Sequence, residues 1–277
     1  MKKYAIISMD VEDWYHSYFI DKEVDKSQSL LDGLDVALNI MSQKGIKGSF
    51  FVLGEIAEQL ANKLRQMNQD GHDIGCHGWG HERPMDLDES VFKQQIIKAK
   101  QTLEEILGHS ISGYRSPCFG LDDTRLNLVQ EAGFQYDSSK LKSQKSTKYG
   151  VLTLPGFTET NPCIYKKGNF TEFEVSSQPL GSMNMLLGGG YLRMLPWTFM
   201  KRMIQRYLNT GQPYVMYIHP IDLSAKPLPP VKGITLDRWL RTHIGRKQMA
   251  WRFKKVIEML ERNGYEFVTF EQLREKI

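Results

Sequence analysis

Cysteine is scarce in this chain of 277 residues, and long apolar runs are missing. The three cysteines, Cys76, Cys118 and Cys163, are an odd number without paired spacing. That argues against a disulfide framework and for a reducing, cytoplasmic setting. No stretch approaches the ~18 consecutive apolar residues of a membrane-crossing helix, so no membrane span is expected. The short apolar run after Lys2 and Lys3 meets an acidic cluster at Asp10 at once. It reads as a first strand and not as a secretory leader, which needs a longer apolar region and a small-residue cleavage site. Charge of one sign is lacking too: 36 Lys and Arg against 32 Asp and Glu leave +4. No basic run stands out as a patch, so nucleic acid is not an expected partner. Apolar residues are plentiful at 41%, enough for a substantial core, and the length suits one large α/β domain.

Strand-like runs alternate with helical patterns. Residues 4–9, 48–53, 72–75, 111–115, 134–136, 214–218 and 266–270 read as strands. Helical spacing recurs over 30–41, 56–67, 91–107, 124–132, 196–208 and 251–260, with Gly45 and Gly71 as stops and Asp88 or Ser90 as a cap. Repeated βα units imply a parallel sheet, wound open or closed into a barrel. The expectation is a single domain, 1–277, with a loop-rich insertion over about 138–195 and a long proline-bearing loop over 225–244.

In such sheets the C-terminal strand ends face the ligand crevice. Asp10, the 72–81 segment, Arg115, Asp137 and His219 all fall just past expected strands. His77 and His81 offer two imidazoles four residues apart, with Gly78 and Gly80 between them making a regular helix unfavourable. Asp10-Val11-Glu12-Asp13 offers carboxylates, and on extended backbone Glu12 shares a face with Asp10 while Asp13 joins only if the chain turns. Two nitrogens and a carboxylate make the ligand set of a catalytic divalent ion with an open position, Zn²⁺ by preference. An isolated histidine pair of this spacing is more often two hydrogen-bonded loop residues; here carboxylates and a third histidine converge on it. His219 is either a satisfied core residue or a proton donor above a site. Arg115 has the donors to hold a carboxylate bidentately and keep it ionised, or belongs to a surface ion pair. Asp137 either orients a histidine or starts a turn.

Together these segments resemble the NodB-homology polysaccharide deacetylases, carbohydrate esterase family four, and among them the members with an Asp-Val-Glu-Asp-aromatic start. The resemblance runs from Ile6 to about Phe270. It includes Ser49-Phe50-Phe51-Val52-Leu53-Gly54, Gly71-His72-Asp73-Ile74-Gly75-Cys76-His77, Gly113-Tyr114-Arg115-Ser116-Pro117, Tyr136-Asp137-Ser138-Ser139, the stretch from Gly188 to Pro196, and Tyr217-Ile218-His219-Pro220. It implies an irregular (β/α) barrel and a metal-dependent removal of N-acetyl groups from an amino sugar. Asp10 would be the general base, His77 and His81 metal ligands, and His219 the general acid. Arg115 would pair with Asp10, and Asp137 would orient His219. The third ligand is Glu12 or Asp13, with strand alternation favouring Glu12. Gly78 stands where the family carries Ser or Thr, which would loosen that loop. A backbone N–H near Cys118 would help hold the oxyanion; Trp14, Tyr191, Trp197 and Trp239 are candidates for stacking on sugar, or else core and loop anchors. Two other readings fit the same residues: an amidohydrolase acting on a small non-sugar amide, as allantoinase-like relatives do, and a catalytically silent carbohydrate-binding protein.

Overall fold

Strand β1 (Lys3–Val11) is buried from Ala5 to its end, and β11 (Tyr214–Ile218) along its whole length. Strands apolar on both faces belong at the centre of a parallel sheet with helices packed outside. The computed structural model, which describes residues 2–17, 20, 24–142, 150–181 and 183–277, bears this out. From β1 the parallel sheet steps outward through β2 (Ser49–Val52), β3 (Asp73–Cys76), β4 (Gly113–Tyr114), β5 (Tyr136–Asp137) and β8 (Phe170–Phe173), with β11 on the other side of β1. The antiparallel strands β6 (Thr158–Asn161) and β7 (Ile164–Lys167) extend the β8 edge. Past β8 the chain curls back: Ser176 donates its N–H to Val215 O at 3.3 Å, and Val215 N–H bonds Ser176 Oγ at 2.8 Å. The far edge thereby returns to β11, and the result is an irregular (β/α) barrel.

Helices fill the outside. α1 (Asp32–Ser42) buries Leu34, Ala37, Ile40 and Met41. The expected 56–67 helix is broken into α2 (Gly54–Ala57), one 3₁₀ turn and α3 (Ala61–Gln69). α4 (Glu89–Leu107) turns Phe92, Ile96, Ala99, Leu103 and Ile106 inward and ends on Gly108 at φ 77°. Next come α5 (Asp123–Glu131), α6 (Gly189–Met194), α7 (Trp197–Leu208) and the short α8 (Pro220–Leu223). Within the stretch 138–195 lie β6, β7, β8, a hairpin of β9 (Ser177–Leu180) with β10 (Met183–Leu186), and α6.

Two readings change. The long loop expected over 225–244 contains α9 (Leu236–His243), followed by α10 (Arg246–Arg262). The last strand, β12 (Tyr265–Phe267), pairs with the start of β1 and gives way to α11 (Phe270–Lys276), capped by Thr269. Thr269 Oγ accepting from Gln272 N–H is a helix-start signal that stops the strand short.

Candidate metal and catalytic centre

At the end of β1 the chain turns tightly, with Glu12 N–H donating to Asp10 O at 3.1 Å, and Glu12 and Asp10 both line one cavity. Asp13 then begins a 3₁₀ turn, Trp14–His16, with its side chain as the cap. Its Oδ1 accepts from Trp14 N–H at 2.8 Å and Leu30 N–H at 2.9 Å. Asp13 Oδ1 is thus tied to the loop while its Oδ2 is buried without a hydrogen-bond partner, and the group with one ligand atom of each within 4.8 Å of the others is Glu12, His77 and His81. Glu12 Oε2 lies 2.6 Å from His81 Nε2 and 4.0 Å from His77 Nε2.

These donors fit a divalent ion. Glu12 Oε2 is buried without a well-directed hydrogen bond, a costly state for a carboxylate oxygen unless a cation completes it. His77 Nδ1 donates to Arg115 O at 2.8 Å, which fixes the ring and leaves the Nε2 lone pair facing Glu12. Burial holds the His77 imidazole down, to about 4, so it is neutral as a ligand must be. Burial by itself would raise the Glu12 carboxyl, but the adjacent His81, with His219 and His77, holds it well below the usual carboxylate range. His81 has φ 65°, a left-handed conformation uncommon outside glycine and one that functional sites often retain. Gly78 does not loosen the loop. Its φ is 84°, where a Ser or Thr would be strained, and its N–H and C=O are engaged by Cys76 Sγ and Gly54 N–H.

Asp10, at the end of β1, is held by Arg115, whose Nη1 donates to Asp10 Oδ1 at 2.8 Å. The bidentate clamp does not form. Nη1 also donates to Ser8 Oγ at 2.8 Å, while Nε and Nη2 go to Ser138 O and Oγ at 3.0 and 2.9 Å. Arg115 is fully buried, with its guanidinium 4.3 Å above the Phe51 ring. Asp10 Oδ2 faces His219 Nε2 at 3.9 Å, which brings the expected base and acid together.

Asp137 does not orient His219. It lies on β5, and its two oxygens hold Ser139 through the backbone N–H at 2.9 Å and Oγ at 2.8 Å. Its register partner on β8 is the equally buried Glu172. Burial and the facing carboxylate push Glu172 well above the carboxylate range, and burial lifts Asp137 to about 6. Glu172 Oε1 accepts from the Ser139 and Lys140 N–H groups at 3.1 and 2.8 Å, so both carboxyls brace the turn whose Ser138 holds Arg115. The partner of His219 is Asp222: Nδ1 donates to Asp222 Oδ2 at 3.1 Å, and His219 N–H to the same oxygen at 3.0 Å. Asp222 Oδ1 in turn accepts from Arg193 Nε at 2.7 Å. Burial opposes the imidazolium, yet Asp222, Glu12 and Asp10 outweigh it and raise His219 to about 9. For Asp222 burial pulls upward, but His219 and Arg193 bring the carboxyl down to about 2. Asp222 carried a signal in the sequence: His219-Pro220-Ile221-Asp222 is a cap, a proline and an acidic third residue, the pattern of a helix start. Glu172 carried none.

All of this opens into a cavity of about 600 Å³ lined by Asp10, Glu12, His77, His81, Asp222 and His219, with Tyr191 and α9 at its wall. The Cys118 thiol on its floor is pushed up to about 12, chiefly by burial, and stays protonated, so it is no nucleophile at neutral pH. Cys118 has φ 56°, in a tight turn that lines the cavity. Among the aromatics expected to stack on sugar, Trp14 is 1% exposed and anchors the loop by donating Nε1–H to Gln28 O. Trp197 packs edge-on against Trp251, and Trp239 lies outside the cavity lining. Tyr191 lines the cavity and is accessible.

Residues 25–136 match the family model for polysaccharide deacetylase, and 139–274 match a domain of unknown function, DUF3473. Residues 25–136 are thus similar to the polysaccharide deacetylases. Similar curated proteins include the peptidoglycan-N-acetylglucosamine deacetylase of Bacillus cereus, 30% identical over 97 residues, 35% of this chain and 35% of that one. The peptidoglycan deacetylase of Helicobacter pylori is 23% identical over 117 residues, 42% of this chain and 40% of its own. The chitooligosaccharide deacetylase of Azorhizobium caulinodans is 29% identical over 97 residues, 35% and 46% respectively. The matches thus span less than half of each relative's length. The fold resembles that of peptidoglycan deacetylase PdaC from Bacillus subtilis, with TM-score 0.52, 16% identity and coverage of 99% and 91%. It also resembles a carbohydrate esterase family four pseudoenzyme from Bacillus anthracis, with TM-score 0.57, 10% identity and coverage of 99% and 66%. One architecture therefore carries both active and silent members, and function has to be read from the site.

Proposed function

We propose that this protein hydrolyses the N-acetyl group of an amino sugar in a polysaccharide or its precursor, with a divalent metal held by Glu12, His77 and His81. The observation that carries this reading is the meeting, in one cavity, of that ligand triad with a carboxylate and an imidazole 3.9 Å apart, Asp10 and His219. A metal bound there supplies Lewis acidity toward the acetamide oxygen and lowers the pKa of water. Asp10, oriented by Arg115, accepts a proton from the attacking water. His219, protonated and steered by Asp222, donates one to the departing amine. The presence of both acid and base disfavours a silent binding protein, and the family match disfavours a small non-sugar amide. The deacetylase names of the relatives support the substrate class, and zinc is the preferred ion because two imidazoles and one carboxylate suit it.

The test is acetate release from a panel of N-acetylated chitooligosaccharides, peptidoglycan fragments and cyclic ureides, before and after chelation and with Zn²⁺ restored. Acetate released only from the saccharides and only with metal supports the reading. Full activity after exhaustive metal removal, or turnover of the ureides alone, overturns it.

A further inference from the structure

The segment 226–255 supplies one wall of the cavity mouth and carries nine Lys and Arg against the single acid Asp237, in a chain whose net charge is only +4. The near balance of the whole chain hides this patch, and the expectation of none is corrected here. Lys232, Arg238, Arg241, Lys247 and Lys254 are exposed. Within the segment, Leu236, Trp239, Leu240 and His243 of α9 recur at the spacing of a helix's apolar stripe. A stripe of this kind is ordinarily packed on the core. Here Leu240 lines the cavity, but Leu236 is 73% and Trp239 42% exposed, and Ile244 just past the helix and Trp251 on α10 are exposed as well.

The charge says what covers it. Aliphatic and indole side chains on one helical stripe, flanked by cations, make the surface of a helix that lies in an anionic lipid interface. A polysaccharide would use open aromatic faces. One face of Trp239 is already taken by the His243 ring, 4.4 Å away and inclined by 16°, and Leu236 has no stacking plane. Among the described residues no helix is long and apolar enough to cross a bilayer, so contact through α9 is peripheral.

We propose that α9 docks on the surface of an anionic bilayer, with Leu236, Trp239 and Ile244 in the interface and Lys232, Arg238 and Lys247 against lipid phosphates. The cavity mouth then faces the membrane. The helix is tied to the catalytic side chains, because Arg193, which holds Asp222, also donates to the carbonyls of Arg241 and Ile244 at the end of α9. If the deacetylase reading holds, on which this further step rests, the substrate is a lipid-linked N-acetylated amino sugar presented at that surface.

The full chain is sedimented with vesicles of phosphatidylcholine alone, and of phosphatidylcholine with phosphatidylglycerol in a two-to-one ratio, while Trp239 emission is followed. Binding is expected only to the anionic vesicles, weakening as salt is raised. Loss of one exposed cation should weaken it about fivefold, and Leu236→Ser about tenfold. The double variant L236S/R238Q should melt as the parent does and deacetylate soluble oligomers at the parent rate. The emission shift should vanish in W239F. The proposal is overturned if neither vesicle binds, if both bind equally, if the double variant binds as the parent does, or if these residues bind an acidic polysaccharide and no vesicle. Vesicle binding without acetate release from any substrate leaves the docking standing and removes the deacetylase reading.

Discussion

Asp222→Asn removes one charge from the site and almost nothing else, and so isolates what that charge does for His219. In the native protein His219 is raised from 6.5 to about 9. At about 1.4 kcal/mol per pH unit, that is roughly 3 kcal/mol of preference for the imidazolium. Burial works against the imidazolium and remains in the variant, while the strongest opposing influences, the hydrogen bond and charge of Asp222, are lost. The titration midpoint of His219 should therefore fall to its ordinary value or below. A general acid works while protonated, so the alkaline limb of kcat/KM should move toward lower pH. Stability has a matching sign. A group whose folded pKa is raised contributes stability that is complete below its unfolded pKa, about 6.5, and is lost as pH rises through about 9. Asp222→Asn should therefore cost more at pH 6 than at pH 10, on top of a pH-independent loss from leaving Arg193 without its carboxylate. The measurements are kcat/KM against pH, an NMR titration of His219 in metal-free protein, and urea unfolding at the two pH values. An alkaline limb that does not move, a metal-free midpoint that stays near 9, or equal destabilisation at both pH values, would refute the reasoning.

Other substitutions test the remaining parts. Glu12→Gln and His77→Ala should each lower bound metal at least tenfold by elemental analysis. Asp13→Ala should keep the metal and lose about 1–3 kcal/mol in urea unfolding, because two buried N–H groups lose their acceptor. Glu172→Gln should flatten the stability curve above pH 6. The raised carboxyls of Glu172 and Asp137 contribute stability at low pH that is lost as pH rises through their folded values, and an amide keeps a donor toward Asp137 without ionising. Thermal melts of both proteins between pH 5 and 9 check it, and parallel curves count against a raised Glu172. Gly245→Ala should cost at least about 1–3 kcal/mol and slow turnover, since φ is 79° and a Cβ would sit 1.9 Å from Arg193 O.

The residues that announced themselves in the sequence were those whose neighbours dictate their place. β1 and β11 are apolar on both faces, and a polar side chain at the exit of such a strand has few places to go but the crevice; Asp10 and His219 were legible for that reason. The two-residue strands β4 and β5 are too short to show a period, and Arg115 and Asp137 stood out by their place at the end of short apolar runs and by motif. α9 was hidden differently. Pro227, Pro229 and Pro230 precede it, and its apolar stripe serves a surface and not the core, so the usual link between periodicity and burial does not apply. The exchange of Asp137 for Asp222 has a more general cause. Both acids follow an apolar strand, and nothing in a linear sequence ranks which one reaches an imidazole across the barrel. Local chain closure does rank them. Asp222 is three residues from His219, and Pro220 fixes the first turn of the helix between them. Its carboxylate meets the His219 N–H and Nδ1 at almost no further entropic cost, whereas Asp137 would need the sheet to bring β5 to β11. Where a distant partner and a cap-forming neighbour compete for one histidine, the neighbour wins.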